Sequence, residues 1–339
     1  MIVAALFLLF LGEGWGAVLQ ILVLVAPLWL ALLVDRFLGE PPVRWHPVVW
    51  MGHYLGRAGR RIAPAAGSPA IHKDFKRFSA GALAWFAGAA MVLVASSALQ
   101  WAAWQLPAWG AVLLTGLALK PLLAWRMLRD EVQAVEAALA ISLDAGRTQL
   151  GRLVSRDVSQ LNAEEVRESA IESLAENLND SVVAPVFWFV LFGLPGAALY
   201  RFANTADAMW GYRGERNGRV WEWAGKWAAR ADDVLSWLPA RITALLLAVV
   251  ALPSPFLPLV AMWRESGHTP SPNSGWPMAT MALLLGVRLG KPGVYVLNAP
   301  GRAPTPDDLQ RAVKLAGKVV LAMAGVALGA LVVMMLVLG

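Results

Sequence analysis

Cysteine is absent from all 339 residues, which excludes a disulfide framework, a thiolate nucleophile and a cysteine-ligated metal. The four histidines have no metal-ligand spacing, so no zinc site is expected. Charge is scarce: Asp, Glu, Lys and Arg make up 15% of the chain, against roughly 25% in a soluble domain. No GxxxxGK[ST] phosphate loop occurs, and no internal repeat, low-complexity tract or separable soluble domain is visible. The apolar start Met1–Leu11 has no basic n-region and no cleavage site, so it is expected to belong to the mature chain and not to a secretory signal.

What the chain has in quantity is apolar. Hydrophobic residues reach 58%, and several of the 17 tryptophans sit near the ends of apolar runs, where indoles favour a membrane interface. This composition predicts an all-α fold: a polytopic helical membrane protein, one integral membrane domain over 1–339, with the lipid bilayer as its surroundings. The net charge of +6 then reflects Lys and Arg kept in cytoplasmic loops, with no nucleic acid as partner.

Charge-free runs place the spans. The first covers about 14–34. Eight Lys/Arg between Arg36 and Arg77 put the following Pro-rich loop on the cytoplasmic side. Phe78–Leu119 carries no charge over 42 residues, too long for one span, and Gln105-Leu-Pro-Ala marks a bend. Spans are therefore expected at about 79–99 and 109–125.

Amphipathic cytoplasmic helices should fill 126–180: Leu128, Val132, Val135, Leu139 and Leu143 recur at helical period. Asp144-Ala-Gly is expected to end the first of them, and a short basic helix with Arg147, Arg152 and Arg156 to follow. Pro185 and Gly193-Leu-Pro195-Gly196 break the apolar stretch after it. A full span there would place the six Lys/Arg of 201–230 on the wrong side, so a re-entrant hairpin is expected over 182–210. Further spans are expected at 242–263, interrupted by Pro253-Ser-Pro255, and at 319–338. Between them lie a loop, a helix opened by Pro277, a second loop and a polar helix start at Asp307–Lys314.

The chemistry concentrates between Asn162 and Tyr212. Glu164, Glu168, Glu172, Glu176 and Asp180 recur every fourth residue, and Asn162 with Glu165 forms a capping-box-like start. On a helix Glu168, Glu172, Glu176 and Asn179 share a wedge of roughly 80°. Like charges so spaced repel, so arginines or a hard cation carrying nucleotide phosphates should offset them. Arg152, Arg156 and Arg167 are the candidate arginines. Asn204 and Asp207 share a second helical face, and Asp232-Asp233 precede an apolar run. Ser271-Pro-Asn273-Ser274-Gly275 feeds a helix whose free N–H groups would suit a phosphate. His46, in a Pro-rich loop after Asp35, identifies no chemistry by itself. Residue chemistry alone leaves a ligase, a prenyltransferase and a phosphatidyltransferase open.

Four stretches carry a resemblance: DRFLGEPPVRWHPVVWMG, ESLAENLNDSVVAPVFWFVLFGLPGAALYRFANTADAMWGYR, ARADDVLSWLPARITAL and SPNSGWPMATMALLLGVRL. In this order, from Asp35 to about Asn298, the chain resembles the adenosylcobinamide-phosphate synthases, integral membrane proteins of cobalamin biosynthesis. The resemblance implies an ATP- and Mg²⁺-dependent amide ligase. It would join a propionate carboxylate of the corrinoid adenosylcobyric acid to (R)-1-aminopropan-2-ol or its O-phosphate. A non-catalytic regulatory or sensor protein of the same superfamily is the rival reading.

The implied catalytic groups are Glu172, Glu176 and Asp207, and the implied Mg²⁺ ligands Glu172, Glu176, Asp180, Asp232 and Asp233. Asn177, Asn204, Arg213, Ser271, Asn273, Ser274 and Lys291 would bind nucleotide or substrate. The implied setting is the bacterial cytoplasmic (inner) membrane, multi-pass, with the active site facing the cytoplasm. Association with other membrane enzymes of the cobalamin pathway is a further expectation.

Overall fold

The computed structural model describes residues 15–68, 73–252 and 259–338; Met1–Leu11 and the Pro253-Ser-Pro255 interruption lie outside the described residues. The chain is mostly helical. In order come α1 (Trp15–Phe37), α2 (Pro47–Ile62), α3 (Phe75–Trp104) and α4 (Ala108–Leu119). Next are α5 (Trp125–Leu139), α6 (Leu143–Leu150), α7 (Ala163–Leu178) and α8 (Ala184–Trp210). After the short strands β1 (Glu215–Arg216) and β2 (Arg219–Val220) come α9 (Lys226–Val250), α10 (Leu259–Ser266) and α11 (Gly275–Leu285). Strands β3 (Leu289–Lys291) and β4 (Tyr295–Leu297) precede α12 (Pro306–Leu338).

Among the described residues, four helical stretches are long and apolar enough to cross a membrane: Phe75–Trp104, Ala108–Leu139, Ala163–Trp210 and Lys226–Val250. Two of them are not straight rods. Leu123, with φ −113° and ψ 145°, breaks the second, and a π turn and a kink break the third.

The chain divides into two compact units. The first comprises the described residues of 1–123, 184–235 and 330–339. Within it α1 packs on α4 so closely that a Cβ at Gly116 would stand 2.8 Å from the Leu30 side chain. His46 caps α2, its Nδ1 accepting the Val48 N–H at 3.3 Å, with Pro47 at the first helical position. The chain bends between α3 and α4 at Gln105–Pro107.

Inside α8 the backbone leaves helical geometry at Gly193, with φ 71° and ψ −154°, a region open essentially to glycine alone. The chain reverses there: a Cβ at Gly196 would lie 2.3 Å from the Trp188 carbonyl oxygen, whereas eight residues of straight helix span about 12 Å. The Gln100 amide oxygen accepts the Leu194 N–H at 3.2 Å, satisfying the restarted helix. Trp85, Phe86, Phe202 and Trp227 form an aromatic nest between α3, α8 and the start of α9.

The second unit comprises the described residues of 124–183 and 236–329. Leu128, Val132 and Val135 of α5 are buried, as their period implies. Asp144 does not end a helix; it lies in the first turn of α6, capped by the Ser142 hydroxyl, and Arg152 and Arg156 follow α6 in a loop. Helix α7 opens with a complete capping box between Asn162 and Glu165. The stretch after α11 is not a plain loop: β3 and β4 pair antiparallel, Leu289 opposite Leu297 and Lys291 opposite Tyr295. Helix α9 starts at Lys226, ahead of the charge-free run from Ile242, because its polar residues continue the same helix. Helix α12 runs unbroken from Pro306, and Asp308 accepts the Thr305 N–H at 2.8 Å and its hydroxyl at 2.7 Å.

Candidate functional site

The acidic face of α7 is turned inward. Glu168 and Glu172 are each only 4% exposed, a costly burial for carboxylates without partners. The partners are cations. Arg288, just before β3, donates Nε at 3.3 Å and Nη2 at 3.2 Å to Glu168 Oε1. Arg156 donates Nη2 to Glu172 Oε2 at 3.0 Å and also to the Ser169 hydroxyl. On the flank, Arg167 grips Glu136 of α5 with two bonds of 2.7 and 2.9 Å.

One oxygen stands apart: Glu172 Oε1 is buried and makes no hydrogen bond among the described residues. Lys291 and Tyr295, from the two strands of the β3–β4 hairpin, lie within electrostatic reach of Glu172. The Tyr295 hydroxyl lies within hydrogen-bonding reach of the Glu172 carboxylate and 3.9 Å from the Met278 sulfur. Burial, then the Glu172 and Glu176 carboxylates, push that phenol far above its ordinary value, so it stays a neutral O–H donor. The result is a buried carboxylate pair ringed by Arg156, Arg288, Lys291 and a phenol. Such a ring can take both an anionic substrate and a cation.

At the end of α7 the helix widens into a π turn over Asn179–Val183, a deformation frequent at functional sites. Asn179 Oδ1 meets the Thr243 hydroxyl at 3.0 Å and its amide donates to Asp180 Oδ1 at 2.8 Å. Asn177 turns back on its own helix, donating to the Ser173 carbonyl at 2.9 Å.

The Ser271–Ser274 loop is braced from α9. Arg241 donates to Asn273 Oδ1 at 2.9 Å and to the Pro272 carbonyl at 3.1 Å. Its guanidinium lies 4.3 Å from the Trp237 ring and 4.9 Å from that of Trp276. Ser271 Oγ accepts the Asn273 and Ser274 N–H groups, both at 3.2 Å. Two of the loop's own donors are thus taken, and a phosphate bound to them would displace the Ser271 hydroxyl.

The other expected residues belong to the first unit. Asn204 Oδ1 lies 3.5 Å from Arg201 Nη1. Asp207, one turn before the end of α8, accepts the Gly211 N–H on its carbonyl at 2.7 Å. Asp233 stands 3.7 Å from Arg230 and within electrostatic reach of Arg213. Asp232 is half-buried beside it. Asp35 and His46 join a cluster that the sequence did not reveal. Lys120, 2% exposed, contacts Asp35 Oδ1 at 3.2 Å and Glu40 Oε1 at 2.8 Å. Glu40 Oε2 meets His46 Nε2 at 3.2 Å.

Sequence reasoning missed Arg241, Arg288 and Tyr295. For Arg241 a signal existed: it is a lone charge between Trp237 and the apolar run from Ile242, where a charge needs a purpose. For Arg288 and Tyr295 none did, because only the tertiary fold brings the hairpin against α7.

The comparisons agree with one another. The CobD/Cbib protein family matches residues 28–316. A probable cobalamin biosynthesis protein CobD of Pyrococcus abyssi is 40% identical over 84% of this chain and 89% of its own. One from Methanothermobacter thermautotrophicus is 37% identical over 86% and 92%, and the cobalamin biosynthesis protein CobD of Chromobacterium violaceum is 39% identical over 85% and 91%. No solved structure matches. Matched over most of its length by the family and by these relatives, the chain belongs to the CobD/Cbib family.

Proposed function

We propose that the chain is an enzyme of cobalamin biosynthesis, an ATP- and Mg²⁺-dependent ligase forming the amide between adenosylcobyric acid and (R)-1-aminopropan-2-ol or its O-phosphate. Family membership supports the pathway. The observation that supports the chemistry is the buried Glu172 carboxylate among Arg156, Lys291 and the Tyr295 hydroxyl, with Glu168 and its partner Arg288 on the same helical face.

A carboxylate and an amine do not condense unaided at neutral pH. In the proposed reaction the γ-phosphoryl group of ATP passes to a propionate oxygen, and ADP leaves. The unprotonated amine then attacks the acyl carbon of the acyl phosphate; the C–O bond to phosphate breaks, phosphate departs and the amine nitrogen gives up a proton. Fixed positive charge around the transferred group is what this chemistry asks of a protein. Arg156 and Lys291 supply it, and Tyr295 offers an O–H donor beside them.

Mg²⁺, when bound, would offset charge on the nucleotide phosphates. It usually takes one or two carboxylates and completes its shell with phosphates and water. Among the described residues no three Asp, Glu or His side chains converge into a metal cage, so one or two of Glu172, Glu176 and Asp180 would hold the ion in the sparser mode. Asn177, Ser271, Asn273 and Ser274 are proposed around the nucleotide. Asn204, Asp207, Arg213, Asp232 and Asp233 are proposed as a further set for the same reaction, with the site facing the cytoplasm.

The test is a product assay on detergent-purified protein with adenosylcobyric acid, Mg²⁺–ATP and either amine. The proposal expects the amide by mass spectrometry, with ADP formed in equal amount. Folded protein that makes neither would leave the regulatory reading.

A further inference from the structure

The first unit holds a cavity of about 530 Å³ that the proposed ligase chemistry does not use. Its walls are α2, the later half of α3, the end of α4 with Pro121 and Leu122, and α8 beyond Gly193. The volume lies within the range of small-molecule sites, yet the lining offers a polar ligand almost nothing. No charged side chain lines it. The Tyr54 hydroxyl is committed to the Ala84 carbonyl at 2.7 Å and that of Ser96 to the Val92 carbonyl at 2.6 Å. The Trp50 indole donates to the Arg44 carbonyl at 2.9 Å. Lys120, next to the lining residue Pro121, is held by Asp35 and Glu40. A nucleotide or an amide-rimmed corrinoid would forfeit its hydrogen bonds to water here without replacement. The occupant must be hydrocarbon.

Two observations indicate where hydrocarbon comes from. Helix α3, which forms one wall, has only 17% of the residues in its most apolar stretch buried, so that helix is built to face lipid. The lining residues Trp45 and Trp50 are 63% and 51% exposed, and exposed indoles sit at the level of lipid headgroups. Beside them is an exposed cation: the Arg44 guanidinium lies 5.9 Å from the Trp45 ring centroid. A cation at that depth attracts anionic headgroups. We infer that the cavity holds one acyl chain of an anionic phospholipid whose phosphate is met by Arg44.

Native mass spectrometry of the delipidated full-length protein, with phosphatidylglycerol or phosphatidylcholine added back singly, tests this. The expected result is one retained phosphatidylglycerol per chain, held at least tenfold more tightly than phosphatidylcholine. Ala95→Phe and Ala118→Phe, which fill the cavity, should each lower retention at least tenfold while the thermal midpoint and elution volume stay unchanged. Arg44→Ala should abolish the headgroup preference and keep a lipid bound. Equal retention in the filled variants, equal binding of the two lipids by the unsubstituted chain, or a dimer in place of the lipid adduct would overturn the proposal.

Discussion

Replacing Lys120 by alanine should be among the most damaging single changes in the first unit, although Lys120 lies outside the acidic site. The ammonium is buried between Asp35, itself 1% exposed, and Glu40. Lys120→Ala would take from Asp35 and Glu40 the ammonium they share, with His46 still beside Glu40 Oε2. Glu40 is held below the usual carboxylate range despite its burial, by His46 and Lys120 together, so Lys120→Ala also takes away part of what keeps it ionised.

Breaking a buried ion pair by removing one partner costs about 3–5 kcal/mol. With an unfolding entropy near 2.1 cal/mol/K per residue, cooperative unfolding of all 339 residues converts that cost to a drop of about 4–7 °C in Tm. Thermal unfolding in detergent, followed by intrinsic fluorescence, reads it. The companion variant Asp35→Asn/Lys120→Ala removes one of the stranded charges and should recover at least about 1 kcal/mol of the loss. A Lys120→Ala Tm within about 1 °C of the parent, or a double variant worse than the sum of its parts, would refute the reasoning.

Three more outcomes follow from the same kind of argument. Glu172→Gln keeps the shape and a hydrogen-bond acceptor for Arg156 but removes the charge, so kcat should fall by about 10²–10³ in protein that still folds, with some lowering of the thermal midpoint as the buried pair with Arg156 is lost; full activity would remove Glu172 from the reaction. Gly193→Ala forces a Cβ into φ 71°, ψ −154°, which should cost about 1–3 kcal/mol, visible as a lower midpoint. Arg302 and Thr305 hold the Asp308 carboxyl well below its usual range, overcoming its burial. Its folded pKa is depressed, so its stabilisation is complete above the unfolded value of about 3.9 and is lost as pH falls below it. Asp308→Asn should therefore unfold more easily than the parent at pH 7, and the gap should narrow steadily as pH falls from about 4.

How far the sequence was legible depends on the range of each interaction. The capping box at Asn162 and Glu165, the bend at Gln105–Pro107 and the break at Gly193 are local, set by residues a few positions apart. All were visible as motifs. The acidic period of α7 was visible too, and so was the need for something to offset it. One of the cations was visible as well: Arg156, a candidate from the sequence, reaches Glu172. Arg288 was not, because it reaches Glu168 across 120 positions, and no periodicity records that pairing. The same holds for Lys120, which reads as the end of an apolar run and turns out to be the centre of a buried ionic cluster. Absence of charge marks the apolar run from Ile242 but not where α9 begins. That helix carries Arg230, Asp232, Asp233 and Arg241 on its way to Ile242, and helical hydrogen bonding does not stop at a charge. The π turn at Asn179–Val183 had no signal in composition.

The proposed activation of a substrate carboxylate by ATP at the α7 site is tested most directly by oxygen transfer. Adenosylcobyric acid labelled with ¹⁸O in its free carboxylate is turned over with Mg²⁺–ATP and the amine, and the released phosphate is weighed by mass spectrometry. One ¹⁸O in each phosphate, together with ADP, is the predicted result, because the acyl phosphate leaves with one carboxylate oxygen. Unlabelled phosphate, or label appearing in AMP, would contradict it.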